Sequence, residues 1–260
     1  MKIEHISVSR KQCFDTCKAQ YKYRYHLKIV SDEPTADHFT YGKIVHKIAE
    51  SYVELKGKVK ISQIAKDLLE GKFFLEGNSY SPPLPPQYHD KINEHLEKIF
   101  KLTDKIGFDG FLEWPFYYDL DKPNGKMIKG FIDRLIVRGD KYYIIDYKTT
   151  KKGPFRKTRS NISKDLQLRC YAKIVQNHFG AKAENIMAAL YYLEGGDLIS
   201  TRFTQESLDS AQEDLSKTYD RILQMSAESA MGEPGFHCRF CDYKKKCPWS
   251  PFKESSLVGN

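Results

Sequence analysis

Hydrophobic residues recur at helical spacing through most of the first 106 residues. This pattern predicts amphipathic helices, the first beginning at Ser7 or Ser9 and ending near Tyr25, and the others at Phe39–Glu54, Ile61–Leu75 and Gln87–Ile106. A polar connector at Asp32–His38 and a stiff proline-rich bridge at Ser81–Pro86 separate some of these helices. Residues 1–106 are therefore expected to be mainly helical.

The spacing changes to a strand pattern in the middle of the chain. A strand is predicted at Phe111–Tyr118, where Pro115 favours an edge position or a bulge. Two longer strands, Met127–Arg138 and Lys141–Lys148, are rich in β-branched and aromatic residues. They are apolar on both faces, which indicates a sheet covered on each side by helices.

The C-terminal part returns to helices and adds a second hairpin. Ser163 is expected to cap a helix that ends near Phe179, and Gly180 is expected to terminate it. The elements that follow are a hairpin at Ile186–Leu193 and Leu198–Phe203 and a helix from Thr204 to about Ala230. No internal repeat or linker is evident, so we expect a single α/β domain over residues 1–260. Its parts are mainly helical residues 1–106, a mixed-sheet core at 107–203 and a C-terminal helix with a cysteine-rich tail at 204–260.

The first predicted hairpin carries two acids that face each other. A two-residue turn at Gly139-Asp140 places Asp133 opposite Asp146 on the neighbouring strand. Facing side chains on paired strands lie about 5 Å apart, so two carboxylates there repel each other unless a cation lies between them. Carboxylate oxygens suit Mg²⁺ and Mn²⁺. The hairpin therefore predicts a divalent-metal site, and the alternative is a buried cluster of ion pairs.

A lysine and a basic loop follow the second acid. Lys148 comes two residues after Asp146, so the pleat directs both side chains to the same face, where the lysine can orient or deprotonate a metal-bound water. The loop Thr149–Ser163 carries Lys151, Lys152, Arg156, Lys157 and Arg159. Together with a net charge of +8, this loop predicts contacts with the phosphates of a nucleic acid, and a solvated charged loop is the alternative.

Three of the six cysteines lie close together near the C-terminus. Cys238, Cys241 and Cys247 form a C-x2-C-x5-C run, a spacing typical of thiolate metal ligands. Such a set fits zinc or an iron–sulfur cluster, and spacing alone does not separate the two. Free buried thiols are the remaining alternative.

Three thiols leave one position of a tetrahedral site unfilled. Cys17 or Cys13 on the first helix could supply the fourth ligand, and His237 is another candidate. Cys170 lies on the apolar face of a predicted helix and is expected to pack in the core.

The rest of the composition favours a folded protein in a reducing compartment. Hydrophobic residues make up 40% of the chain, which is enough to form a core. The sequence has no run of 18 apolar residues and no signal-like N-terminus, so we expect a cytoplasmic location and no membrane partner.

The acid–lysine hairpin and the split cysteine set occur together with several short motifs. These are TCKAQYKYRY around Cys17, Gly42-x3-His46, GFIDR, DYK and Gln167-x3-Tyr171. The combination resembles the RecB-like branch of the PD-(D/E)XK nucleases over almost the whole chain. It is similar to the iron–sulfur exonucleases associated with CRISPR systems and to the AddB nuclease domain. The resemblance implies a restriction-endonuclease-like α/β core, with a mixed central sheet flanked by helices, a helical N-terminal region and an iron–sulfur tail.

The resemblance also implies roles for individual residues. The implied ligands of Mg²⁺ or Mn²⁺ are His46, Asp133 and Asp146. The implied catalytic residues are Asp133, Asp146, Lys148, Gln167 and Tyr171. Because Gln167 and Tyr171 share a helix face, they could brace the lysine or a substrate phosphate, although the same positions also fit a buried stripe. Glu113, on the preceding strand, is a further candidate for this site.

A [4Fe–4S] cluster is implied as well, bound by Cys17, Cys238, Cys241 and Cys247. It would join the first helix to the C-terminal tail. Two departures from the family pattern matter. Asp146 stands where many members have glutamate, and the extra thiol of Cys13, four residues before Cys17, leaves the choice of the fourth ligand open.

The implied activity is that of a metal-dependent deoxyribonuclease, most similar to exonucleases that degrade single-stranded DNA ends 5′→3′, some with endonuclease activity. The chain has no G-x4-G-K-[ST] motif, so a helicase or recombination partner is expected to supply the single strand. Two alternatives remain at this stage. One is a non-catalytic nucleic-acid-binding iron–sulfur module, and the other is a nuclease that holds zinc instead of iron.

Overall fold

The computed structural model describes residues 1–31, 37–69, 86–122, 125–154 and 156–252. The helices are α1 (Val8–Thr16), α2 (Lys18–Tyr21), α3 (Asp37–Glu54), α4 (Ile61–Leu69), α5 (Pro86–Ile106), α6 (Leu166–Phe179) and α7 (Gln205–Gln224). The strands are β1 (Phe111–Asp119), β2 (Met127–Arg138), β3 (Lys141–Lys148), β4 (Ile186–Tyr192) and β5 (Asp197–Arg202). The predicted connector at Asp32–His38, the bridge at Ser81–Pro86 and the predicted helix end at Leu75 lie wholly or partly outside the described residues.

The strands form one five-stranded sheet in the order β1-β2-β3-β4-β5. β2 and β3 are antiparallel, β3 and β4 are parallel, and β4 and β5 are antiparallel. A parallel step requires a crossover connection, and α6 lies in the connection between β3 and β4. The predicted mixed sheet flanked by helices is confirmed.

The register of both hairpins follows the sequence pattern. In the first hairpin Arg138 pairs with Lys141, and the pairing continues to Arg134 opposite Ile145, as a two-residue turn requires. β4 and β5 pair across the predicted Gly195-Gly196 turn. β1 lies at the edge of the sheet, a position where proline is tolerated.

Residues 35–116 and 131–211 form one compact unit with helices on both faces of its strands. On one face, α3, α4 and α5 pack on the sheet through a continuous buried cluster that includes Ile48, Ile99, Ile136 and Tyr191. On the other face, α6 packs against β3 and β4. Burial on both faces explains why these strands lack a polar side.

Residues 1–34, 117–130 and 212–260 form a second compact unit. The Ser7 side chain caps α1 by accepting the N–H of Arg10 at 3.1 Å. Lys11 is buried, and its ammonium pairs with Asp15 at 2.6 Å and with Asp214 at 3.0 Å. The expectation of one domain over the whole chain stays a prediction.

Three predicted helix boundaries differ from the structure. The first helix is interrupted at Cys17, whose backbone is extended (φ −163°, ψ 118°), before α2 resumes the helical path. The cap of α6 lies two residues after the predicted one, because Asp165 accepts the N–H of Leu168 at 3.0 Å while Ser163 lies in a 3₁₀ turn. α7 ends at Gln224, well before Ala230. None of the helices in the described part of the chain is long and apolar enough to cross a membrane.

Candidate metal centre

Three metal-ligating side chains meet where α3 approaches β1 and β2. His46, Glu113 and Asp133 each offer one ligand atom, and these atoms lie within 4.8 Å of one another. His46 Nδ1 is 3.3 Å from Asp133 Oδ2. One turn earlier on α3, a Cβ at Gly42 would lie 3.6 Å from Thr149 Oγ1, so the helix runs close to the residue that follows Lys148. One nitrogen and two carboxylates form a donor set that suits Mg²⁺ or Mn²⁺.

Asp133 is fixed by a backbone hydrogen bond at the end of the hairpin register. Its Oδ2 accepts the N–H of Tyr147 at 2.8 Å. The Asp133 carboxylate thus accepts a hydrogen bond from the backbone of the residue that follows Asp146 on β3. This bond orients the Asp133 carboxylate toward β3.

Asp146 and Lys148 form a buried ion pair beside this group. Lys148 Nζ lies 2.7 Å from Asp146 Oδ2, and the residue Asp146 is 1% exposed. The ammonium already compensates the charge of this carboxylate. A nearby cation favours the ionised form of a buried carboxyl group, so Asp146 also fits a site that binds a metal ion. Asp146 lies outside the group of three mutually close ligands and would complete it from the β3 side.

Gln167 and Tyr171 extend from the lysine as a short chain of hydrogen bonds. Lys148 Nζ donates to Gln167 Oε1 at 3.0 Å, and Gln167 Nε2 donates to the Tyr171 hydroxyl at 2.7 Å. Both residues lie on α6, one turn apart, and Tyr171 is buried. The pair thus holds the lysine in place, which is one of the two arrangements that the sequence analysis left open.

Glu113 is the site residue whose backbone conformation could not be predicted from the sequence. It lies in the middle of β1 with φ +41°, a left-handed conformation that is uncommon for residues other than glycine. Burial and the nearby charge of Asp133 raise the pKa of Glu113 to about 7. Strained backbone in a strand is often found at functional sites. Pro115, two residues later, was the only sequence signal that β1 is irregular here.

The protonation states reflect several acids held close together. Burial lowers the pKa of His46, so the imidazole is neutral and can offer a lone pair to a metal. Burial and the charge of Asp146 raise the pKa of Asp133 well above its usual value. Burial by itself lowers the pKa of Lys148, but attraction to Asp146 and other acids outweighs it and the net pKa is raised. A divalent cation would compensate the repulsion between the carboxylates.

The basic loop after β3 contains both anchoring and exposed cations. Arg156 Nη1 pairs with Asp197 at 3.0 Å, and its guanidinium carbon lies 4.4 Å from the centre of the Tyr192 ring. The Lys157 ammonium lies 3.9 Å from Asp165. Lys151, Lys152 and Arg159 are exposed. The role predicted for this loop in binding nucleic acid stays a prediction, in which the three exposed cations are the best candidates.

Four cysteines line one cavity in the second compact unit. Cys17, Cys238, Cys241 and Cys247 line the same cavity, together with His237. In the described part of the chain no three cysteine sulfurs lie within 4.8 Å of one another. The cavity thus brings together the four cysteines that the resemblance implied, at a spacing wider than a tight thiolate cluster.

The remaining cysteines lie elsewhere. Cys13 is buried one turn before Cys17 and is not among the residues that line the cavity. Burial raises the pKa of the Cys13 thiol to about 12. Cys170 is 2% exposed on α6, as expected for a packed core residue, and burial raises its pKa to about 12.

A mixed sheet with a cluster of acids, a histidine and a lysine at the end of its central hairpin defines a class of metal-dependent phosphodiesterases. The family described as the PD-(D/E)XK nuclease superfamily matches residues 5–248. The chain belongs to this superfamily. Its assignment to the RecB-like branch stays a prediction.

No curated protein shows significant similarity to this sequence. A solved structure named "Crystal structure of SSO0001" is 19% identical and aligns over 89% of this chain and 94% of its own, with a TM-score of 0.36.

Proposed function

We propose that this protein is a metal-dependent deoxyribonuclease that hydrolyses phosphodiester bonds at the ends of single-stranded DNA. The observation that carries the proposal is the meeting of His46, Glu113 and Asp133 beside the Asp146–Lys148 ion pair. Membership of a nuclease superfamily supports the reaction type. The single-stranded substrate, the 5′→3′ direction and a helicase or recombination partner are supported by the resemblance to RecB-like exonucleases.

Each residue has a distinct task in this proposal. His46, Glu113, Asp133 and Asp146 would hold one or two Mg²⁺ or Mn²⁺ ions. The bound metal would acidify a water and neutralise charge on the scissile phosphate. Asp133 would keep its orientation through the Tyr147 N–H, and Asp146 would direct the lysine.

Lys148 would act mainly as a cation that positions water and stabilises the phosphate. Its raised pKa keeps the ammonium protonated near neutral pH in the metal-free protein. Gln167 and Tyr171 would fix its direction through the two hydrogen bonds described above. A preorganised charge of this kind stabilises a transition state without further rearrangement.

The test is a degradation assay on single-stranded DNA labelled at one end, with Mn²⁺, Mg²⁺ or EDTA. Asp146→Asn and Lys148→Met should each reduce cleavage by at least about 100-fold while leaving the fold intact. Asp140→Asn is the matched control, since it changes an acid at the opposite, exposed end of the same hairpin. Labels at the 5′ or 3′ end would give the direction. Metal-independent binding with no cleavage by the wild type would favour the non-catalytic module instead.

We further propose that Cys17, Cys238, Cys241 and Cys247 bind a [4Fe–4S] cluster. Four sulfurs around a single zinc ion lie about 3.8 Å apart, because each Zn–S bond is about 2.3 Å. No three cysteine sulfurs of the described residues lie within 4.8 Å of one another, so the proposal rests on the family resemblance and on the cavity that the four cysteines share. Anaerobic purification should give a brown protein with bound iron and inorganic sulfide. A colourless protein that contains stoichiometric zinc would contradict the proposal.

A further inference from the structure

Two phenylalanines are exposed together on the short turn that carries Cys238. Phe236 is 66% exposed and Phe240 is 74% exposed. Their ring centres are 5.5 Å apart, and the ring planes are inclined at 66°. Burying apolar side chains is favourable, so two rings left in water on one turn form a surface suited to a ligand.

The turn holds the two rings in a defined position. Residues Phe236–Phe240 form a 3₁₀ turn in which the Cys238 N–H donates to Gly235 O at 3.0 Å. Cys238 points inward, is 8% exposed and lines the cysteine cavity. The rings two residues before and two residues after it are the ones that remain in solvent. The turn that directs Cys238 inward therefore also fixes the aromatic pair.

A cation lies against the rings, since the Arg239 guanidinium carbon is 5.6 Å from the centre of the Phe236 ring. Two neighbouring acids are paired with other cations, Glu233 with Lys18 and Asp242 with Arg24. An exposed aromatic pair beside an arginine matches the two chemical features of a single nucleic-acid strand, flat bases and a phosphate backbone.

We propose that Phe236, Arg239 and Phe240 form a platform on which the bases of single-stranded nucleic acid stack. Bases inside a duplex are stacked on one another, so their faces are available only in a single strand. The inference deepens the proposed function, on which it rests for the nature of the ligand. The tyrosines of the N-terminal segment already have partners. Tyr21 is buried, Tyr23 packs against Tyr243, and Tyr25 lies against Tyr21 and Arg10.

The test measures binding without cleavage. Full-length, cluster-loaded protein in EDTA would be titrated into fluorescent oligo-dT and into a blunt hairpin duplex, and binding would be followed by anisotropy. Phe236→Ala and Phe240→Ala should each weaken oligo-dT binding about tenfold and leave duplex binding unchanged. Phe240→Trp should restore affinity, and its indole fluorescence should be quenched by the bound strand. Phe100→Ala, a 48% exposed ring on α5, is the matched control.

The salt dependence separates stacking from phosphate contacts. Arg239→Ala should reduce the slope of log Kd against log salt, whereas the phenylalanine variants should shift the line without changing its slope. Oligo-dT affinities of both alanine variants within twofold of wild type, with the visible cluster band retained, would overturn the inference and leave the rings to a protein partner. The binding titration does not depend on cleavage. If the wild type fails to cut DNA in the degradation assay but its binding to oligo-dT still depends on these rings, only the nuclease proposal is overturned.

Discussion

The acid-lined centre takes its side chains from α3, β1, β2 and β3, whereas the cysteine cavity takes most of its lining from the turns between Met231 and Ser250. The first site lies on regular elements with a continuous buried core behind them. The second lies in a stretch without α-helix or β-strand, where few apolar residues are buried. The comparison indicates that the side chains of the acid-lined centre are held in place by the fold without a metal. In the cysteine cavity, by contrast, bound metal would have to hold the chain in place.

Loss of a cluster ligand should therefore have the largest effect. We expect Cys17→Ala to lose iron and the visible band, to destabilise residues 231–250 and to expose them to proteolysis. Structural metal sites contribute of order 10 kcal/mol to folding, so the local loss should be complete. Cys13→Ala should keep both iron and protease resistance, because Cys13 does not line the cavity. Iron analysis and limited proteolysis with mass spectrometry would check this, and the reverse pattern would assign Cys13 as the ligand.

The second prediction concerns the scaffold of the acid-lined centre. Arg134 is fully buried next to Asp133, and its Nη2 donates to Gly107 O at 2.5 Å and to Asp109 O at 3.2 Å. Arg134→Ala would leave a cavity and two carbonyls without their donor. We expect it to lower the free energy of unfolding by about 3–5 kcal/mol.

A neighbouring arginine provides the control for that measurement. Arg138 on the same strand donates to Ile106 O at 2.7 Å but is exposed, so Arg138→Ala should cost less than about 1 kcal/mol. Urea denaturation would compare the two variants. Equal losses would show that the buried arginine does not support this part of the fold.

Local patterns made much of the fold predictable. The two-residue turn fixed the β2–β3 register, and Gly180, left-handed at φ +66°, ends α6 where the sequence indicated. Both signals act over a few residues, so no tertiary information was needed. The fold class followed, because the strands are apolar on both faces.

The structure differs from the prediction where the local conformation depends on contacts with residues distant in the sequence. Ser163 and Asp165 are both residue types that cap helices well. Ile162 is buried in the 3₁₀ turn that contains Ser163, and Asp165, which follows this turn, caps α6. The left-handed backbone of Glu113 and the anchoring of Arg156 beneath the β4–β5 turn likewise depend on contacts far along the chain. In the cysteine region, the sequence supplied the ligand types but could not choose between Cys13 and Cys17, which are both buried.

A smaller effect is expected from the chain of hydrogen bonds behind the lysine. Tyr171→Phe removes the hydroxyl that accepts from Gln167 Nε2 and keeps the buried ring. Loss of one hydrogen bond, about 1–1.5 kcal/mol, should lower kcat about tenfold and leave metal affinity unchanged. Steady-state kinetics and calorimetric titration with Mn²⁺ would measure the two quantities. An equal loss of metal affinity would indicate that Tyr171 shapes the ligand set instead of positioning Lys148.

The smallest expected effect is the pH dependence of stability that Glu113 contributes. In the metal-free protein, burial and the charge of Asp133 raise the pKa of Glu113 from 4.5 to about 7. The folded state therefore holds this proton more tightly than the unfolded chain. Its stabilising contribution is complete below about pH 4.5 and is lost as the pH rises toward 7.

Glu113→Gln removes this titration and keeps the size of the side chain. The melting temperature of wild type minus that of the variant, measured in EDTA, should fall between about pH 4.5 and about pH 7 and then level off. His46 has a lowered pKa and the opposite sign, but it is present in both proteins and largely cancels in the difference. Adding Mn²⁺ at the higher pH should make wild type melt at a higher temperature than the variant. Only wild type has the Glu113 carboxylate beside His46 and Asp133 to bind the ion. A difference that does not change with pH would mean that Glu113 is ionised without a metal, and that the fold tolerates the crowded acids without a cation.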